Sequence, residues 1–422
     1  MYWLVEEDEQ LNVLINSGFK KAFIEVIPLS NNVHPALNDV SLVYIRPLNA
    51  SKGYMLCVTH SETLSVLKTR VDELLLKFDI LYCRNKKEIL HYFPYKTLYD
   101  INVPPTTYIL PTTKAHDTMY YRHGDKDHVN TLIPVVKHFE MCEQIYYDLK
   151  DNINKQQTEY DKFFNSKVSL VFNAIERSGI RIQPERFKEH FYDEAGSKIY
   201  TQYNIRTTTT RPSNKFKGVN YAALNKENGC RKAFIPANDI FYEIDISAYH
   251  PSLSCRLIDY NFPTVDIHDH MAGLYGVSYA KSKELTFKQL YGGVFKQYEH
   301  LEYFKKISIY IRELWDKFQS DGFVKCPISN FVYSKENLDE MNPQKLFNYL
   351  LQNLETSSNV CILWDVLTLL RGKQTKLVLY TYDSFLFDWD KEEIEVMEEI
   401  KKIFTKYKFN IKSKQGYDYD FR

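Results

Sequence analysis

The chain has 422 residues, which is enough for about two to four domains of ordinary size. It carries 54 basic and 54 acidic side chains, and this zero net charge excludes a uniformly basic nucleic-acid coat, an acidic tail and a polycationic membrane binder. An enzyme that holds phosphates in a local basic track is not excluded. Aromatic residues make up 15% of the chain; we attribute most of them to compositional bias and expect a few rings to stack on bases.

Three features of the sequence bear on the cellular compartment: its first residues, its longest apolar stretch and its cysteines. The chain begins MYWLVEEDEQ, with acidic residues where a secretory signal has basic ones and an apolar run. Its longest apolar stretch, residues 360–370, is interrupted by Asp365 and is far shorter than the roughly 20 residues of a membrane helix. The seven cysteines are scattered without a C-x-x-C pattern, which favours reduced thiols. We therefore expect a cytoplasmic protein.

Residues 1–134 alternate β-rich and helical segments. Lys21–Pro28, Val40–Pro47 and residues 54–59 are β-rich, whereas residues 61–76 have helical periodicity. This alternation predicts an α/β domain at the N-terminus.

A long helical pattern then runs from residue 132 to residue 178 and ends at Gly179, a residue type suited to a helix C-terminus. Residues 201–240 follow with seven basic side chains against two acidic ones. This local excess is able to hold a phosphate backbone although the whole chain has no net charge.

Two aspartates stand at the ends of β-rich segments. Residues 240–244 (IFYEI) lead to Asp245, and a helical segment follows. Near the C-terminus, KLVLY and FLFDW flank Asp383, which predicts a tight β-hairpin with this aspartate at or beside its turn. Taken alone, each aspartate is also typical of a helix cap or an ordinary turn. A strand that ends in a carboxylate is equally a common way to present a metal ligand.

Between the two aspartates lies a helical segment, SYAKSKELTFKQLYGG, with one distinctive face. Tyr279, Lys283, Phe287 and Tyr291 recur every four positions, so they share one side of a helix that the Gly-Gly pair ends. From Lys283 to Tyr291 the helix rises about 12 Å at ~1.5 Å per residue, close to the span from a triphosphate to a base. The alternative is an aromatic core stripe with a lysine whose stem lies along it.

Two-metal phosphoryl transfer requires the features found here: two strand-end carboxylates, and a helix that carries a cation and aromatic rings. In that reaction one metal ion lowers the pKa of the attacking hydroxyl, and a second ion, about 3.5–4 Å away, stabilises the leaving group.

A set of segments in the second half of the chain resembles, in order, the motifs of family A DNA polymerases. They are TTRPSN at 209–214 (T-G-R-L-S-S in the family), RKAFIP at 231–236 (R-x-A-F-I), DISAYHPSL from Asp245 (motif A, D-Y-S-Q-I-E-L-R), Asp266-Ile267-His268 (D-I-H), Lys283 with Phe287 and Tyr291-Gly292 (motif B), Gln352 (N-x-x-x-Q), and Tyr382-Asp383-Ser384 (motif C, H-D-E). The resemblance covers about residues 207–420.

The resemblance implies an α/β and α+β multidomain fold, with an exonuclease-like (RNase H-like) N-terminal domain followed by a right-hand palm and fingers polymerase with a reduced thumb. The boundaries that we assign are 1–134 for the exonuclease-like domain, 135–206 for the helical reduced thumb and palm entry, 207–261 for the palm with motif A, 262–325 for the fingers with motif B, and 326–422 for the palm with motif C.

The implied activity is that of a template-directed, primer-dependent DNA polymerase, which adds dNTPs 5′ to 3′ on primer-template DNA. The compact layout and the composition lean toward a phage or viral enzyme, which would act in the host cytoplasm. Because the segment available for a thumb is short, we expect weak intrinsic processivity and a processivity or replisome partner protein.

The resemblance also implies roles for particular residues. Asp245 and Asp383 would bind two Mg²⁺ ions, which Mn²⁺ is able to replace, with the Ile246 carbonyl as a further ligand. Arg211 and Gln352 would contact the minor-groove side of the primer terminus.

The remaining implied roles concern the incoming nucleotide. Lys283 would hold its β- and γ-phosphates, Phe287 would stack on its base, and Tyr291 would guard the insertion site. Lys281 and Arg231 are further candidates for phosphate contacts.

The chain departs from the family at several of these positions. The glycine of T-G-R is Thr210, the motif B arginine is Tyr279, and the motif A glutamate that excludes ribonucleotides in the family is His250. Motif C has tyrosine and serine in place of histidine and glutamate, and its D-S-F hairpin also resembles single-subunit RNA polymerases. Two alternatives therefore stay open: an RNA polymerase-like enzyme or primase-polymerase, and a catalytically silent, polymerase-like DNA-binding subunit.

The family's 3′–5′ exonuclease domain uses four acidic ligands, beginning with D-x-E on its first strand. Here that strand reads Phe23-Ile24-Glu25, so a phenylalanine replaces the first aspartate. The other acidic residues of the segment have no spacing that completes the set: Glu62, Asp79, Glu88, Asp100 and Asp117. We therefore expect an exonuclease-like fold without its metal site, and no proofreading; the alternative is an unrelated α/β module.

Overall fold

A computed structural model describes residues 3–94, 97–111, 129–191, 196–214, 219–264 and 266–421. The chain divides into two compact units, Met1–Asn173 and Ala174–Arg422. Within the described ranges, no helix has both the length and the apolar character needed to cross a lipid bilayer.

The first unit is built on a mixed sheet. Its described strands, β1 to β6 in chain order, are Leu4–Val5, Lys21–Pro28, Val40–Pro47, Tyr54–Cys57, Ile80–Cys83 and Leu98–Asp100. Across the sheet they are ordered β1-β4-β3-β2-β5-β6. β2, β3 and β4 form an antiparallel meander, while β5 runs parallel to β2 and β6 runs parallel to β5. The β-rich segments predicted at β2 and β3 are confirmed with the same bounds.

Helices cover this sheet. The described helices, α1 to α6 in chain order, are Asp8–Ile15, Lys68–Leu75, Lys86–Tyr92, Val135–Asn154, Glu159–Phe163 and Ser169–Ser178, with a π-helical turn at Phe164–Val168 before the last. Cys142 and Ile145 of α4 share a buried core with Phe23 and Tyr44 of the sheet. Helix α4, which belongs to the segment assigned to the thumb, thus packs against the sheet of the first unit.

The second unit contains short strands, a larger sheet and a set of helices. Its described strands, β7 to β17, are Ile180–Ile182, Lys198–Ile199, Tyr203–Asn204, Ser213–Asn214, Phe234–Ile235, Ile240–Ile246, Phe323–Lys325, Val332–Ser334, Lys376–Thr381, Ser384–Trp389 and Ile411–Gly416. Its described helices, α7 to α13, are Pro184–Phe191, Tyr249–Leu257, Ile267–Tyr275, Tyr279–Gly292, Glu302–Asp321, Pro343–Leu369 and Ile394–Lys406.

The larger sheet is antiparallel and has the order β15-β16-β12-β17. The predicted hairpin is confirmed, because β15 and β16 pair directly and only Tyr382 and Asp383 separate them. The predicted strand that leads to Asp245 is also confirmed as β12, and the predicted helix with its glycine end is confirmed as α10. Three of the segments selected from the sequence therefore have the expected local structure.

Packing in the first unit makes Gly53 sensitive to substitution. A methyl group on this glycine would come within 2.3–2.4 Å of the ring and hydroxyl of Tyr44, which is fully buried. Tyr44 donates a hydrogen bond to Glu143, and the Gly53 N–H donates to the same carboxylate at 2.8 Å. We expect Gly53→Ala to lower the free energy of unfolding by about 2–3 kcal/mol, because the buried ring has no free space to move into.

Urea unfolding measures this effect, with Gly196→Ala as the control. A methyl group on Gly196 meets no atom within 4 Å, so this variant is expected to change the free energy of unfolding by less than about 0.5 kcal/mol. Equal stabilities for the two variants would contradict the close contact at Gly53.

Candidate active site

A cavity of about 420 Å³ lies in the second unit, between the end of β12, the β15–β16 hairpin and helices α8, α9 and α10. Its lining includes these residues selected from the sequence: Arg211, Asp245, Ile246, His250, Lys283, Phe287, Tyr291 and Asp383. Other polar lining residues are Asp266, His268, Tyr279, Glu355, Asn410 and Lys412. Residues far apart in the chain are therefore brought to one site.

The two aspartates are neighbours because β12 and β16 are antiparallel partners. Asp245 pairs across the sheet with Ser384, the residue after Asp383, and the Ile246 N–H donates to the Asp383 carbonyl at 2.8 Å. Burial raises the pKa of Asp245 to about 6, and repulsion from the Asp383 and Glu243 carboxylates adds to the effect. Burial also raises the pKa of Asp383. The arrangement holds negative charge that a cation would stabilise.

Sequence reasoning missed a third carboxylate, Glu243, two residues before Asp245 and on the same face of β12. Glu243 is 6% exposed and accepts a 2.8 Å hydrogen bond from the hydroxyl of Ser384, while Lys414 lies 3.7 Å from its other oxygen. Ser384 stands where motif C of family A has a glutamate. The two-residue repeat of a β-strand was the signal that could have identified Glu243.

A buried amide of α12 holds the turn that carries Asp383. Tyr382 has a φ of 63°, in the left-handed region that non-glycine residues rarely adopt. Asn359 donates to the Tyr382 carbonyl at 2.8 Å and to the Tyr380 hydroxyl at 2.9 Å, and it accepts from the Tyr249 hydroxyl at 2.7 Å. One side chain thus connects α8, α12 and the hairpin.

Helix α10 presents its predicted face to the cavity. Phe287 and Tyr291 stack with ring centroids 5.8 Å apart and planes 9° apart. Lys283 lies one turn earlier, and its positive charge lowers the pKa of Asp245 and of Asp383 against the dominant effect of burial. The helix therefore presents a cation toward the carboxylates and two parallel rings beyond it.

The loop before β10 keeps a backbone shape that suits glycine. Thr210, at the position of the family's glycine, has a φ of 61°. Its hydroxyl accepts a 2.8 Å hydrogen bond from the buried Asn353, and its N–H donates to the Thr207 carbonyl at 3.0 Å. These bonds offset the strain of a left-handed threonine. They also direct the next residue, Arg211, over the ring of Tyr382 at 3.7 Å.

Three residues selected from the sequence lie away from the cavity lining. Lys281 forms an ion pair with Glu284 at 2.9 Å on the exposed side of α10. Arg231 donates to the carbonyl of Leu224 at 3.2 Å, and Gln352 is half-buried on α12. Their implied roles stay predictions. Asp117 lies outside the described ranges, as do two of the seven basic residues of segment 201–240, Lys215 and Lys217.

A lysine from β17 joins the site, although its local sequence carries no signal. Lys412 pairs across the sheet with Asp245 and lies 3.8 Å from Asp266. Tyr279, at the position of the family's arginine, is also directed to Asp266, with a hydroxyl-to-carboxylate distance of 3.4 Å. His268 lines the same region, and its pKa is lowered by burial and by the positive charges of Lys283 and Lys412. A second cation, Lys412, therefore stands beside Tyr279 on this side of the cavity.

The donor set fits Mg²⁺ bound through few protein ligands. Within the described ranges, no three His, Cys, Asp or Glu side chains are grouped so as to hold a metal ion. Mg²⁺ commonly takes only one or two carboxylates, with water and substrate phosphates in its other positions. Asp245 and Asp383 match this requirement, because burial and mutual repulsion disfavour their ionised forms until a cation compensates them.

Comparison with solved structures identifies the fold. The chain superposes with a TM-score of 0.73 on the POL domain of Pol1 from M. smegmatis, solved in complex with DNA primer-template and dNTP; the alignment covers 99% of each chain at 12% sequence identity. The fold is that of a DNA polymerase domain. No family model and no curated protein matches the sequence. The polymerase fold is thus retained at an identity too low for sequence comparison to detect.

The raised pKa of Asp245 makes the stability of the fold depend on pH. An unfolded aspartate has a pKa of about 3.9, whereas folded Asp245 has one of about 6. Between these values the native chain binds more protons than the unfolded chain, so its stability falls as pH rises. In metal-free buffer we expect Asp245→Asn to remove this decline and to be more stable than wild type at pH 7 by about 1–2 kcal/mol, after allowance for solvent screening.

Urea unfolding between pH 4 and pH 7 tests this prediction. Asp321→Asn, at an exposed position of α11, is the control and should follow the wild-type pH profile. Added Mg²⁺ should stabilise wild type more than Asp245→Asn. Parallel pH profiles for wild type and Asp245→Asn would contradict the raised pKa.

Proposed function

We propose that this chain is a template-directed, primer-dependent DNA polymerase that adds dNTPs 5′ to 3′. The observation that carries the proposal is that Asp245 and Asp383 share one cavity with Lys283, Phe287 and Tyr291. The cavity offers carboxylates for metal ions, then a cation for phosphates, then rings for a base. This order matches that of the metal-bound phosphates and the base along a nucleotide. The fold similarity to a polymerase domain solved with primer-template and dNTP supports the same reading.

In this proposal the incoming nucleotide lies along α10. Lys283 binds the β- and γ-phosphates, and the base stacks on Phe287, one helical turn further along the face. Bound Mg²⁺ ions would lower the pKa of the primer hydroxyl and stabilise the leaving pyrophosphate. Asp245 and Asp383 would hold these ions, with the Ile246 carbonyl as a further ligand.

Lys412 is proposed as the second phosphate contact. It occupies the side of the cavity where Tyr279 replaces the family's arginine, and Asp266 keeps its ammonium there. A lysine on β17 is therefore able to supply the positive charge that α10 lacks.

We further propose that the chain is a compact polymerase of the family A type that works with a processivity partner. Helix α4, 20 residues of the predicted thumb segment, packs against the sheet of the first unit through residues such as Cys142 and Ile145. This part of the segment is not free to grip a duplex, which supports a processivity partner and a phage or viral replication role.

Removal of either aspartate is expected to abolish synthesis. In a primer-extension assay with Mg²⁺ and dNTPs, Asp245→Ala and Asp383→Ala should each lower the rate by at least about 1,000-fold, because each removes a metal ligand whose effect on the transition state is several kcal/mol. Asp321→Ala, an exposed aspartate of the same unit, is the control and should extend primers at the wild-type rate. Extension at more than a tenth of the wild-type rate by either cavity variant would reject the two-metal assignment.

We propose that the first unit is an exonuclease-like module without a working metal site. Its meander followed by two parallel strands is the arrangement expected of an RNase H-like sheet. Phe23 at the position of the first ligand is fully buried, and Glu25 is held by Arg84, with Nε–Oε1 and Nη2–Oε2 distances of 3.2 and 3.3 Å. Asp100 accepts bonds from the backbone N–H groups of Lys86 and Asn102. These carboxylates are hydrogen-bonded within the protein, which supports the proposed loss of the site.

A mispaired 3′ end should therefore persist. Incubated with Mg²⁺ but without dNTPs, a labelled primer with a terminal mismatch should keep its length over hours, for wild type and for Glu25→Gln alike, as measured on a denaturing gel. Rapid excision by wild type that Glu25→Gln abolishes would show that the exonuclease site is active.

A further inference from the structure

An ion pair of the larger sheet lies beside the two carboxylates of the cavity. Glu243 of β12 is 6% exposed, and its Oε2 lies 3.7 Å from Nζ of Lys414, the residue opposite it on β17. The described residues that line the cavity include neither of the two. Glu243 is two residues before Asp245, so both side chains point to the same face of the sheet. The ion pair is therefore next to the candidate metal site rather than within it.

The carboxylate of Glu243 is fixed between a hydroxyl group and an apolar core. The Ser384 hydroxyl donates to its Oε1 at 2.8 Å, and Ser384 is both the cross-strand partner of Asp245 and the residue after Asp383. Across the same strand pair, Glu243 lies opposite Leu386, which belongs to a buried apolar cluster. A carboxylate in this position has little access to water. Its negative charge is thus held at a set distance from the cavity.

The effect of this charge is visible at Asp245. Burial raises the pKa of Asp245 most, followed by the Asp383 carboxylate and then the Glu243 carboxylate, whereas the Lys414 ammonium lowers it. Residues two apart in a strand are separated by about 7 Å, a distance over which buried charges still interact. A group that disfavours a further negative charge at Asp245 favours a bound cation there by the same interaction. Glu243 would therefore attract a metal ion, and Lys414 would repel it.

The two opposite charges do not cancel at the site, because they differ in exposure. The Glu243 side chain is 7% exposed, whereas that of Lys414 is 59% exposed. Water and salt screen an exposed charge far more than a buried one. The pair therefore acts on the cavity mainly as a negative charge.

We propose that Glu243 supplies a third, non-ligating negative charge that raises the affinity of the Asp245–Asp383 site for divalent metal ions. The inference rests on the proposed metal-dependent function. It gives the two acidic residues of β12 different roles, because Asp245 would bind an ion directly and Glu243 acts on it through space. Lys414 opposes this effect from the solvent side.

Binding of Mn²⁺ to the full chain, without DNA or nucleotide, tests the proposal, with free Mn²⁺ measured by electron paramagnetic resonance. Glu243→Gln keeps an oxygen that accepts from Ser384 but removes the charge, and should weaken binding by at least about 10-fold. Lys414→Gln should tighten binding by about two- to fivefold, the smaller effect of an exposed charge. Unchanged affinity in Glu243→Gln, or a change of the same direction in both variants, would overturn the proposal.

Two further variants separate the charge from the structure around it. Ser384→Ala removes the hydrogen bond and keeps the charge, so its affinity for Mn²⁺ should stay within about threefold of the wild-type value. A purely structural role of Glu243 predicts instead that Ser384→Ala weakens binding as much as Glu243→Gln does. Glu313→Gln, at an exposed position of α11, makes the same change of charge far from any described contact of the pair and should bind Mn²⁺ like wild type.

Asp245→Ala distinguishes failure of this inference from failure of the proposed function. If Asp245→Ala loses the Mn²⁺ binding that wild type shows, the metal site is present, and the result for Glu243→Gln decides the inference alone. If Asp245→Ala binds Mn²⁺ as wild type does, or if wild type binds none, the two-metal assignment fails and the role of Glu243 fails with it.

Discussion

Repulsion between two carboxylates held side by side at the end of one sheet is the constraint on which the candidate site depends. Asp245 and Asp383 are brought together by the pairing of β12 with β16, and burial opposes the ionisation of both. Such a pair would separate if the backbone allowed it. The hydrogen bond from the Ile246 N–H to the Asp383 carbonyl and the hold of Asn359 on the hairpin turn prevent this. The fold thus keeps the two carboxylates together, where a bound cation would stabilise their ionised forms.

Helix α12 supports the site with side chains that a core helix usually lacks. Asn353, Glu355 and Asn359 are nearly fully buried, and each reaches a different element: the loop at Thr210, the histidine of α8, and the β15–β16 hairpin. Buried polar groups are stable only when they are paired, so each amide and carboxylate specifies the position of its partner. The helix therefore positions the cavity wall more by directed bonds than by apolar contact.

The first unit differs from the second in how a buried carboxylate is stabilised. Phe23 on β2 is fully buried, and Glu25, two residues further along the same strand, is paired with Arg84. An arginine beside a buried glutamate satisfies the carboxylate within the protein, so no metal ion is needed to stabilise it. Burial favours a cation at Asp245, whereas at Glu25 the guanidinium of Arg84 supplies the positive charge.

Local sequence determined the strands β2, β3 and β12, the hairpin around Asp383 and the face of α10, because alternation, turn residues and helical spacing are properties of neighbouring residues. It also selected Asp245 and Lys283, whose residue types and order suggested the chemistry. Only the tertiary structure brought in Glu355 and Lys412, and only it placed Lys281 away from the cavity. Their contacts join residues separated by up to about two-fifths of the chain, and long-range pairing of this kind leaves no periodic trace in either partner's own sequence.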